Sequence, residues 1–194
     1  MISDLILSII AFYLYNQHKE QSKLWSKFFL FMGLSAFVGG LYHGIPYIGE
    51  QFRFLSWTLF STSLIYAQLA TYQGVRNNFI KILFIFKSIV LLSLSIIYVN
   101  FEFMIVDTAL SMLGFIVIGN LLFIIPLSNY IIYGVLISLI SVFFIIYKIN
   151  FYEQYLTYID IGHYISIISL IVISIGTRED YTKHIEKVRK SIQT

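Results

Sequence analysis

The chain has 194 residues, of which 58% are hydrophobic and only 12% charged, with a formal net charge of +3. A soluble domain carries about 25% charged residues, so a water-exposed globule is excluded. No basic stripe interleaved with aromatics is present, which excludes nucleic acid as a partner, and the absence of cysteine removes disulfides, thiolate metal sites and a cysteine nucleophile.

Apolar segments follow one another nearly end to end, separated by short polar punctuation. That is the pattern of a polytopic helical membrane protein. A span needs roughly 20 apolar residues, and seven segments qualify, at about 2–17, 25–46, 52–72, 79–99, 102–124, 128–148 and 159–177. The expected fold is therefore an all-α bundle of seven transmembrane helices, with a membrane domain over 1–177 and a basic tail over 178–194. The first segment lacks a cationic start and a small-residue cleavage site before Asn16-Gln-His-Lys-Glu20, so it reads as a retained span. The fifth and sixth are separated by Pro126-Leu-Ser128-Asn129, a turn and cap signal.

Lysine and arginine set the expected orientation. With the N-terminus outside, Lys19, Lys23, Lys27, Arg76, Lys81, Arg178, Lys183, Lys187, Arg189 and Lys190 fall on the cytoplasmic side, and Arg53 and Lys148 outside. The bias predicts N-out and C-in, in a bacterial inner (cytoplasmic) membrane. Lys87 lies two turns inside the fourth span and is expected to snorkel to the cytoplasmic surface.

The same orientation gathers Asp4, Glu50, Glu102, Asp107, Glu153 and Asp160 at outward ends. Asp160-Ile-Gly-His163 opens the last span, and residues three apart share one helical face. In the second span, Ser35, Gly39 and His43 recur at i, i+4 and i+8, and Gly39 and Gly40 are small enough to let another helix approach. His43, Asp160 and His163, with Asp107, Asp4 and Ser35, thus form a candidate polar site in the outward half. Ionisable groups inside a membrane are costly and point to function, although those near a helix end can simply sit among headgroups. Trp57, Ser61 and Gln68 line one face of the third span. Two chemistries suit the candidate site. One is binding or movement of a small ligand, proton or cation, with Asp160 orienting His163. The other is a zinc ion on His43, His163 and Asp160 with an open position for water. A haem on His43 and His163 is a third use, which the outward acids disfavour. The partners expected are the lipid bilayer and a small lipid or cation.

The Ser35…Gly39-Gly40…His43-Gly44 stretch together with Asp160-Ile-x-His163 resembles an uncharacterised family of small bacterial multi-span proteins, whose last span opens Asn-Asp-aliphatic-aromatic-His. Here Ile159 stands at the Asn and Gly162 at the aromatic position. More distantly, Ser and His in span two with His in span seven are similar to the alkaline ceramidase and adiponectin receptor superfamily. That resemblance implies a metal-dependent amidase-like hydrolase acting on a lipid or small amphiphile. This chain departs from it: Ser35 precedes His43 by eight, Ile167 holds the place of the second His in the last span, and span three has no Asp.

Overall fold

In the computed structural model, which describes residues 2–73, 75, 77–123, 127–150 and 156–193, the chain is all-helical. Seven helices follow in order: α1 Ile2–His18, α2 Lys23–Gly44, α3 Glu50–Thr71, α4 Asn78–Tyr98, α5, α6 Asn129–Tyr147 and α7 Tyr158–Gln193. α5 is continuous but changes pitch, as α-helix over Glu102–Ala109, π-helix over Leu110–Ile118 and α-helix over Gly119–Phe123. Arg76, Pro126 and Glu153 lie outside the described residues.

Five helices, α2, α4, α5, α6 and α7, are long and apolar enough to cross a membrane, the mark of an integral membrane protein. The other two are weaker candidates for visible reasons. α1 has only 17 residues. α3 is diluted by Gln51, Arg53, Ser56, Thr58, Ser61, Thr62, Ser63 and Gln68. These two helices turn much of their polarity inward, with Ser3, Asp4, Ser8, His18, Ser61, Ser63 and Gln68 all buried.

Two helix starts are capped by side chains. Asn77 caps α4 through its side chain, and Ser128 caps α6 by accepting from the Tyr130 amide. α7 runs on past the expected end of the last span to Gln193, and Lys183 pairs with Glu179 one turn away at 2.8 Å. Asp180 also accepts the Ser128 backbone amide at 3.1 Å, and Glu179 accepts the Ser128 hydroxyl.

Six helices close a ring. α1 packs on α2, α2 on α3, α3 on α5, α5 on α6, α6 on α7, and α7 back on α1. α4 stands outside, against α3 and α5, and buries only Phe84, Ser88 and Ser95. The apolar core of Ala11, Phe28, Phe29, Leu64, Ile131 and Val135 sits between ring helices. Small residues set the closest approach. A Cβ at Gly176 would stand 2.7 Å from the Ile131 backbone nitrogen, and one at Gly134 2.9 Å from that of Ile173. α6 and α7 therefore meet backbone to backbone, with Ser169 donating to the Gly134 carbonyl at 2.7 Å. α2 and α3 are joined differently. Ser35 donates to the Ser56 carbonyl at 2.9 Å, and Ser56 to the Ser35 carbonyl at 3.0 Å, beside Gly39.

Candidate functional site

The ring encloses a cavity of about 880 Å³, within the ~300–1,000 Å³ range of small-molecule sites. Its lining comes from α1, α2, α3, α5, α6 and α7 and the Asn100–Phe101 corner, with nothing from α4. Phe28, Met32, Met112, Leu170 and Ile173 line its depth. Tyr42, His43, Arg53, Glu102, Lys148 and Tyr158 line the end where α1, α3, α5 and α7 begin. The pattern is an apolar well with a polar mouth.

Asp4, Ser35, His43 and His163 all line this cavity. Asp4 is 3% exposed and brings a carboxylate from the first turn of α1. Its Oδ1 lies 3.6 Å from His163 Nε2 on α7. On its other side, His163 Nδ1 meets the Ser3 hydroxyl at 3.1 Å, and Ser3 donates to Asp160 Oδ1 at 2.6 Å. A carboxylate only accepts. The Ser3 hydrogen is thus committed to Asp160, and Ser3 accepts from Nδ1–H. Nε2 then faces the Asp4 carboxylate. Asp160 itself is occupied elsewhere. Its Oδ2 accepts the Thr157 amide at 3.2 Å and the Thr157 hydroxyl at 2.7 Å, which fastens the start of α7. His43 is exposed at the mouth, its ring edge-on to Tyr42 at 5.3 Å. Among the described residues, no group of three or more His, Asp and Glu is placed to hold a metal ion.

Asp107 does not join this set. It is fully buried between α3, α4 and α5. Lys87 Nζ donates to its Oδ1 at 2.5 Å and to the Ser111 hydroxyl at 2.5 Å. Ser88 donates to the same carboxylate at 3.0 Å, and Ser61 at 3.1 Å. The expectation that Lys87 snorkels is overturned, because an apolar environment favours a paired ammonium over a stretched one when a carboxylate lies within reach. The π-helical stretch faces the same interface. Ser111 and Phe115 belong to it, Lys87 sits 5.8 Å over the Phe115 ring, and Tyr72 donates to the Phe115 carbonyl at 2.7 Å. Gly119 leaves room for the Tyr72 hydroxyl, which a Cβ there would overlap.

Of the α3 face, Trp57 lines the cavity, Ser61 turns to Asp107, and Gln68 is buried and donates to the Leu64 carbonyl. Sequence reasoning missed Ser3 and Ser56, small hydroxyls whose value lies in what they touch. It also missed His18, fully buried at the far end of α1 with Nε2 2.7 Å from Ser174 Oγ and its ring stacked on Phe29 at 5.2 Å.

The family described as of unknown function, DUF6962, matches residues 1–182, which takes in every ring helix and the whole cavity. The chain belongs to this family. No curated protein and no solved structure matches it, so the likeness to alkaline ceramidases gains no support from either. Membership of DUF6962 brings no activity with it, and the chemistry rests on the cavity.

Proposed function

We propose that this protein spans the membrane seven times, N-out and C-in, and binds a small amphiphilic molecule in the ring cavity from the outer side. The single observation carrying this reading is that Asp4, His43 and His163, from three helices, line one apolar well at its polar end. The tail of the ligand lies against Phe28, Met32 and Ile173, and its head against the Asp4–His163 pair, where a proton can be taken or given as the head arrives. Ser3 and Asp160 hold the imidazole in register. The hydrolase alternative needs Asp160 as a third ligand beside both histidines, and Asp160 is taken up by Ser3 and Thr157.

The test is to purify the protein in lipid nanodiscs and identify extracted small amphiphiles by mass spectrometry. About one per chain is expected, lost when the well is filled by Ala36→Phe and kept in Ile97→Phe, which changes an exposed position on α4. Equal retention in both, or no amphiphile in the wild type, refutes the reading. Stoichiometric zinc lost in both His43→Ala and His163→Ala would move the assignment to the hydrolase.

A further inference from the structure

The charges at the mouth are not equivalent. Asp4 faces His163 at 3.6 Å. Glu102 is engaged locally, accepting from the Asn100 side-chain amide at 3.2 Å while its own backbone amide donates to Asn100 Oδ1 at 2.9 Å. Arg53 is held otherwise. Its guanidinium lies over three rings, 5.8 Å from the centre of Tyr42, 5.4 Å from Phe54 and 5.3 Å from Trp57. Its ion-pair partner Glu50, one turn back, is 57% exposed and does not line the cavity. The countercharge of Arg53 is therefore in water, where it is screened, while the guanidinium itself lines the well beside Trp57 and Tyr42. A second permanent cation, the exposed Lys148 at the end of α6, lines the same mouth.

A planar guanidinium fixed by aromatic faces is matched by an oxyanion, which it can meet with two parallel N–H donors. An ammonium head would meet Arg53 and Lys148 as like charges, with Glu102 and Asp4 already engaged by Asn100 and His163, and a hydroxyl head would offer the guanidinium no oxyanion beside the exposed Glu50. We infer that the guest of the cavity is a single-chain amphiphile with an oxyanion head, a carboxylate or a phosphate monoester, and that Arg53 is the residue that selects it. This rests on the cavity reading above and narrows it to a ligand class. The chain of the guest enters the Phe28–Met32–Ile173 well, so the head comes to rest at the level of Arg53 and His43. Arg53 thus acts on specificity, and the Asp4–His163 pair on the opposite wall is left to the proton.

The experiment uses the full chain in zwitterionic-lipid nanodiscs and brominated 16-carbon probes that quench tryptophan. Trp57 lines the cavity and Trp25 does not, so quenching should survive Trp25→Phe and vanish in Trp57→Phe. The brominated fatty acid is expected to quench saturably. The corresponding alcohol and alkyl trimethylammonium should bind at least ~10-fold more weakly, about 1.4 kcal/mol. An alkyl phosphate arm tells whether carboxylate or phosphate is preferred. Arg53→Gln should cost the acid ~10-fold and leave the alcohol unchanged, with Arg53→Lys intermediate. If alcohol and acid bind the wild type equally, or Arg53→Gln leaves the acid unaffected, the head-group assignment falls while the cavity reading stands. If no probe reaches Trp57, both fall. The comparison of probes on the wild type decides the matter even if Arg53→Gln does not fold.

Discussion

Lys87→Met removes an ammonium and keeps most of its stem. Asp107 is 0% exposed, and it would retain only the hydroxyls of Ser61 at 3.1 Å, Ser88 at 3.0 Å and Ser111 at 3.5 Å. Removing one partner of a buried pair typically costs about 3–5 kcal/mol, because the other charge is stranded. The expected destabilisation is therefore about 3–5 kcal/mol. The double variant Lys87→Met/Asp107→Leu should return to within about 1 kcal/mol of wild type, since an apolar replacement of a buried pair is often neutral. The assay is unfolding by denaturing detergent in mixed micelles, followed by circular dichroism. A Lys87→Met variant within about 0.5 kcal/mol of wild type would show that the Lys87–Asp107 pair does not hold in the bundle.

The backbone contact of α6 and α7 predicts that Gly176→Ala and Gly134→Ala each cost about 1–3 kcal/mol by overpacking, since their Cβ atoms would meet backbone at 2.7 and 2.9 Å. Gly114→Ala, with nothing within 4 Å, should be neutral or gain up to ~1 kcal/mol in the same assay. At the π-helical stretch, Gly119→Ala should expel the Tyr72 hydroxyl from the Phe115 carbonyl. Tyr72→Phe alone is expected to cost about 0.5–1.5 kcal/mol, and Gly119→Ala should cost less in the Tyr72→Phe background than in the wild type, because the hydroxyl is gone and only the ring carbon at 2.8 Å still meets the new Cβ. Full additivity of the two would refute the contact.

The helices were legible because hydrophobic length is a strong signal, and apart from the run-on of α7 their ends fall within about two residues of the segments read from the chain. Asp4, Ser35, His43 and His163 line one cavity because alternating helices carry corresponding ends to one side of a bundle. Asp107, read from the chain in their company, packs elsewhere. Nothing local distinguishes a carboxylate facing the ring from one facing α4, and the partner that decides it, Lys87, is 20 residues away on the preceding helix. Depth alone made Lys87 look like a snorkelling residue. The glycines of α2 drew notice because they cluster, while Gly134 and Gly176 stand singly on successive helices; only the register of α6 on α7 makes them a pair. The π-helical stretch left no trace in the apolar run Leu110–Ile118, whose hydrogen-bond partners Lys87 and Tyr72 come from other helices or their ends.

The placement of α4 outside the ring bears on how the chain enters the membrane. An isolated lysine or aspartate costs up to roughly 2.5–3.5 kcal/mol on insertion, most at the middle of a span; α4 carries Lys87 at its middle and α5 carries Asp107 in its second turn. Only Val99–Phe101 separates the end of α4 from the start of α5. So short a link lets the two helices enter the bilayer as one antiparallel hairpin, with Lys87 and Asp107 already neutralising each other before the ring exists. On this view the outermost helix is a companion that brings a charge across with α5, and the cavity is assembled afterwards around an α5 whose own charge has been settled.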